Sequence, residues 1–194
     1  MVFASNQEHH ESSGIFRAGL PEMLAQRLNL HIRMLAEEIG ERHFEQPGSL
    51  DRAAQYIEQE FRACGLAPSR QSIGKLPFHN VIVQITGATK PDEIIITGAH
   101  YDTVWLSPGA DDNASGVAAL LELACSLAQN GHDRTLRFIA FANEEQPFSE
   151  TENMGSRFYA KFIRAQNENV IAMFSLEMLG YYSDQPHSQN YPAP

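Results

Sequence analysis

The sequence predicts an α/β/α sandwich built on a mixed, largely parallel central sheet. Three observations carry that expectation. Short apolar runs alternate along the chain with stripes of helical period, the pattern of strands joined by covering helices. The run Ile94–Thr97 is continuous rather than alternating, as in a strand covered on both faces. Three apolar runs end on His100, on Glu144–Glu145 and on Glu177, so polar chemistry collects at strand ends, where open α/β sheets place their crevices.

Residues 1–19 are polar and aperiodic and read as a flexible tail, His9 and His10 included, ahead of a domain over 20–194. Pro21 marks a helix start, and Leu24, Leu28, Ile32, Leu35 and Ile39 form one stripe that stops at Gly40. His31 on that helix reads as packing or surface. The stretch Gly40–Ser49 is a turn. Ser49 is then expected to N-cap a second helix with the face Leu50, Ala54, Ile57, Phe61 and Cys64, closed by Gly65.

Strands are expected near Arg70–Ile73, over Asn80–Ile85 and over Glu93–Ala99, with Gly87, Pro91 and Asp92 turning the chain between the last two. Val117, Leu120, Leu121, Ala124 and Leu127 mark a helix after Asn113 that ends near Gly131. Thr135–Ala142 is the next strand, Gly155–Ala165 a helix and Val170–Leu176 a last, buried strand. From Ser183 onward the chain is loop-like.

A length of 194 residues and a hydrophobic fraction of 43% suit one ordinary globular domain. The net charge of −10 disfavours nucleic acid and anionic membranes as partners. The start of the chain has no apolar core of signal-peptide length, and no run is long enough to span a bilayer, so a cytoplasmic protein is expected. Cys64 and Cys125 are too few for a disulfide framework and read as small buried thiols.

The segment HYDTVWLSPGADD, from His100 to Asp112, holds one imidazole and several carboxylates between a strand and a helix. His100 is a common zinc ligand. Asp102, two residues on, can accept from its second ring nitrogen and fix the tautomer. Asp112 can bridge two metals through its two oxygens, and Glu145 and Glu177 can each give a terminal oxygen. Glu144, beside a ligand, suits a general base acting on metal-bound water. Burying such acids without a cation would be costly.

The motifs GAHYDT, PGADDNASG, FANEE, MGSRFYA and SLEMLGYY, in this order, resemble the co-catalytic di-zinc aminopeptidases, a family that also holds glutamate carboxypeptidase and the glutaminyl cyclases. The resemblance runs from about Leu28 to Tyr191. It implies a phosphorylase/hydrolase-like zinc-exopeptidase fold and two zinc ions. It also implies His100, Asp112, Glu145 and Glu177 as metal ligands, Asp102 as support for His100 and Glu144 as the base, while Asp111 takes no role. The reaction implied is hydrolysis of N-terminal peptide bonds.

Family members carry a further His beyond this region, with additional strands and a helix, so one or two ions are expected here. An uncovered sheet edge favouring self-association is expected too. His187 lies too close to Glu177 to replace the absent ligand. Rival expectations are a glutaminyl cyclase-like acyltransferase and a metal-binding fragment without turnover. Trp105, Phe148, Tyr181 and Tyr182 are candidates for walls of the substrate pocket.

Overall fold

The computed structural model describes residues 19–186 and residue 188. His9, His10 and His187 lie outside them. Helix α1 (Gly19–Arg33) runs into a wider π-helical turn, Met34–Ile39, which stops at Gly40 with φ 78°. Only glycine adopts that left-handed conformation without strain. Gly19 already belongs to α1, so Pro21 lies inside the first turn rather than opening it.

Helix α2 (Ser49–Ala63) is capped by Gly48, at φ 74°, and Ser49 is its first residue. The Ser49 hydroxyl donates back to the carbonyls of His43 and Gln46, so it ties the preceding turn rather than capping the helix. Strands β1 (Ser69–Ser72), β2 (His79–Ile85) and β3 (Lys90–His100) follow, then helix α3 (Gly116–Ala128). Strand β4 (Arg134–Phe141), helix α4 (Gly155–Ala165) and strand β5 (Asn169–Ser175) complete the order.

The sheet runs β1-β2-β4-β3-β5. β3 lies parallel to both β4 and β5, whereas β2 is antiparallel to β1 and β4. The parallel trio decides where chemistry can occur, because its three C-terminal ends emerge side by side. His100 pairs with Phe141 in register, and Gly98 with Ser175.

Alternation along β4 divides the core into two layers. Phe138, Ala140 and Ala142 join Leu50, Ile57, Phe61, Val117 and Leu121 beneath α2 and α3. Ile139 and Phe141 face the other way, onto Tyr159 of α4 together with Ile94 and Ile96 of β3. Period two places successive side chains on opposite faces, so helices on both sides follow from the strand sequence. Ile95 and Thr97 are half-buried, less covered than a continuous apolar run predicts.

β5 departs from the buried strand expected. It is an edge strand, with Ile171, Met173 and Phe174 exposed. The cysteines also depart from expectation, since Cys64 and Cys125 form a disulfide with Cα atoms 5.2 Å apart. The last turn of α2 lies against the middle of α3, which brings together two thiols that sequence spacing keeps 61 residues apart. Nearby, His31 of α1 contacts the Tyr56 hydroxyl at 2.5 Å and Glu122 at 3.1 Å, linking α1 to α2 and α3. No helix among the described residues is long and apolar enough to cross a membrane.

Candidate metal centre

β3 ends on His100, whose side chain is 3% exposed. Its two ring nitrogens face different carboxylates. Nδ1 lies 3.5 Å from Asp102 Oδ1. Nε2 lies 3.0 Å from Asp112 Oδ1 and 3.3 Å from Glu177 Oε1. Asp102 is thus behind the imidazole, and Asp112 and Glu177 are in front of it.

β4 delivers the second pair of acids. Asn143 has φ 60°, a left-handed turn that Asn tolerates better than most residues. This turn carries Glu144 and Glu145 across the end of β3. Asp102 accepts from both of their backbone amides, Oδ1 from Glu144 N at 3.1 Å and Oδ2 from Glu145 N at 3.0 Å. One carboxylate therefore backs the imidazole and fixes the loop bearing the other two acids.

The third acid is fastened from the Asp111–Ser115 turn. Asn113 Nδ2 donates to Leu176 O at 2.8 Å and to Glu177 Oε2 at 3.1 Å, and its Oδ1 accepts from Met178 N. Ser115 Oγ accepts from Leu179 N, and Asp111 Oδ1 from Gly180 N at 2.7 Å. Asp111, left without a role by the sequence, holds the chain just past Glu177. A Cβ at Gly116 would meet Leu176 O at 2.5 Å, so only glycine allows α3 to start this close to β5.

His100, Asp112 and Glu177 form one group whose donor atoms lie within 4.8 Å of one another. His100, Glu144 and Glu145 form another. The structure thus brings the other three predicted ligands, Asp112, Glu145 and Glu177, and the base Glu144 around the His100 imidazole, but Asp112 and Glu145 do not share a group. Asp102 belongs to neither.

The electrostatics fit a cation. Burial opposes a charge on His100, yet the facing carboxylates of Asp102, Asp112 and Glu177 push it up to about 12. The bond to His100 holds the Asp112 carboxyl below its ordinary range. Burial, with Asp102, Glu177 and Asp112 adding to it, raises Glu144. Burial and then Asp112 push Glu145 up to about 7. A proton on His100 here stands where a metal ion would relieve the same crowding of acids. Imidazole and carboxylate oxygens are a donor set that zinc takes.

Among the proposed pocket walls, Trp105 joins His43, Phe44, Val104, Gln146 and Pro147 around a mostly apolar cleft of about 310 Å3. Phe148 packs edge-on against Phe44 and Phe78 behind that cleft. Tyr181 and Tyr182 are exposed. The supporting residues Asn113, Ser115 and Arg42 were not singled out from sequence. The run of small polar residues in DDNAS was a usable signal for the first two, and Arg42 had none.

The parallel trio with acids at its strand ends defines an α/β domain with a candidate metal site. More particularly, the chain belongs to peptidase family M28, whose model matches residues 80–193. It is 37% identical over 179 residues to the protein YfbL of Escherichia coli (strain K12), an alignment covering 87% of this chain and 54% of YfbL. The chain therefore spans about half the length of that relative. LapB from Legionella pneumophila superposes with a TM-score of 0.67 at 26% identity, covering 84% of this chain and 46% of LapB. BSAP, a zinc aminopeptidase from Bacillus subtilis, superposes with a TM-score of 0.69 at 17% identity, covering 80% and 69%, a likeness of fold.

Proposed function

We propose that this chain is a zinc-dependent hydrolase of aminopeptidase type, acting on N-terminal peptide bonds. The observation that carries the reading is the arrangement at His100, where Asp112 and Glu177 meet Nε2 while Glu144 and Glu145 approach the same imidazole. His100, Asp112 and Glu177 would hold one ion, and Glu145 would be a ligand of a second. Bound zinc supplies Lewis acidity and lowers the pKa of water.

Glu144 is the general base. Its carboxyl is raised by burial and neighbouring acids, toward the range where a base both accepts and returns a proton near neutral pH. It takes the proton from the attacking water and passes it to the leaving amine. Asp102 keeps Glu144 and Glu145 in place through their amides, so the base does not drift as charge develops. The Trp105 cleft offers an apolar hollow for a substrate side chain.

Two further readings concern setting. The exposed Ile171, Met173 and Phe174 on edge strand β5 support self-association through that edge. The Cys64–Cys125 disulfide supports an oxidising compartment rather than the cytoplasm expected from sequence.

The test is hydrolysis of aminoacyl p-nitroanilides by the zinc-loaded chain and by Glu144→Gln. The expected result is a kcat loss of at least ~100-fold in Glu144→Gln with zinc binding retained. Parent-like turnover in Glu144→Gln would sink the assignment. Cyclisation of a glutaminyl peptide without hydrolysis would replace the hydrolase by an acyltransferase.

A further inference from the structure

Arg42 is the largest side chain buried without exposure, and it makes no salt bridge among the described residues. A buried guanidinium is costly unless its donors are met. Here they are met by backbone carbonyls. Nε donates to Tyr101 O at 2.7 Å, and Nη2 to Gly109 O at 2.8 Å. Nη1 reaches Pro108 O at 2.7 Å, Leu35 O at 2.8 Å and Gly40 O at 3.0 Å.

Those acceptors are not scattered. Tyr101 lies between His100 and Asp102. Pro108 and Gly109 directly precede the Ala110–Ser115 turn. The fork therefore grips both ends of the loop that separates the imidazole from Asp112. The backbone of Arg42 adds a second hold, donating from N to Thr103 Oγ1 and accepting from Thr103 N, each at 3.1 Å. Gly109, at φ 57°, gives the fork its room, since a Cβ there would lie 2.8 Å from Arg42 Nη2. The exposed tip, Val104 to Leu106, takes no part in this grip.

We propose that Arg42 is a positioning residue that sets the spacing between His100–Asp102 and Asp111–Asp112. Its importance for metal binding rests on the zinc-site reading, but the loop geometry it fixes does not. Lysine keeps the charge and loses the planar fork, so it cannot span Tyr101 and Gly109 together.

The test compares the parent, Arg42→Lys and, as a core control, Ile57→Ala, by amide hydrogen exchange on the metal-free chains and by zinc titration against a chromophoric chelator. Arg42→Lys is expected to speed exchange at residues 101–115 at least tenfold and to weaken zinc at least tenfold. Ile57→Ala is expected to lower Tm without a selective change at 101–115. If Arg42→Lys does not fold, Thr103→Val, which deletes one hold and leaves the fork, is expected to speed exchange of the same loop about threefold. Loop exchange in the folded variant that matches the parent, or that changes no more than in Ile57→Ala, overturns the proposal. A parent that binds no zinc while Arg42→Lys loosens the loop overturns the zinc-site reading and supports the clamp.

Discussion

The two sides of the candidate metal centre are built in opposite ways. His100 and Asp102 leave β3 between two parallel neighbours, and their side chains are 3% and 6% exposed. Glu177 leaves edge strand β5 and is 46% exposed. The first side is fixed by the sheet, the core and the Arg42 fork. The second is held by the Leu176 N to Gly98 O bond, by His100 Nε2 on Glu177 and by polar contacts from Asn113, Ser115 and Asp111. A stiff half can impose geometry on an ion, and a softer half can close on it afterwards, because low-stability segments supply moving parts.

Disrupting the stiff half should have the largest effect. Replacing both cysteines by serine frees a 61-residue loop joining α2 to α3, the helix that follows the Asp112 turn. Stability in urea should drop by up to about 4 kcal/mol. Zinc affinity measured well below the new midpoint should stay near the parent value. Asp102→Ala comes next, expected to lower zinc affinity ~10–100-fold, since it removes the partner of His100 Nδ1 and the acceptor for two amides.

On the softer side, Asn113→Ala should lower zinc affinity about tenfold, with faster exchange in residues 176–180, because Glu177 loses its tether. If Asn113→Ala outweighs Asp102→Ala, the ranking of the two halves is reversed.

The smallest effect is one of pH. The Glu145 carboxyl has a folded value of about 7, raised from 4.5. In the metal-free chain its contribution to stability is fully present below about 4.5 and is lost as pH rises through about 7. Zinc needs the carboxylate, so the rise in Tm on adding zinc should grow across that same window. A zinc-induced shift that stays flat from pH 5 to about 8 would remove Glu145 from the ligand set.

Much of this was legible because the strands obey period two and because acids stand where apolar runs stop. Helix α4 falls over Gly155–Ala165 as the sequence predicts. His100, Glu144, Glu145 and Glu177 were singled out from their positions at strand ends and Asp112 from the segment that follows β3, and the parallel trio explains why these side chains lie near one another. What failed to show depends on contacts between distant segments. The Cys64–Cys125 pairing follows from how α2 crosses α3. Arg42 lay in a stretch that reads as a plain turn, and its partners are carbonyls, which carry no side-chain signature. Ser49 missed its capping role by one residue because Gly48 supplies the left-handed turn. The exposure of β5 is set by its place at the sheet edge, and its apolar sequence alone would bury it.

The most direct test of the centre is anomalous X-ray scattering at the zinc edge from crystals grown with zinc. The account predicts a peak within bonding distance of His100 Nε2, contacted by Asp112 and Glu177, with Asp102 still behind Nδ1. Zinc bound elsewhere while His100 remains in contact with the Asp112 and Glu177 carboxylates would contradict it.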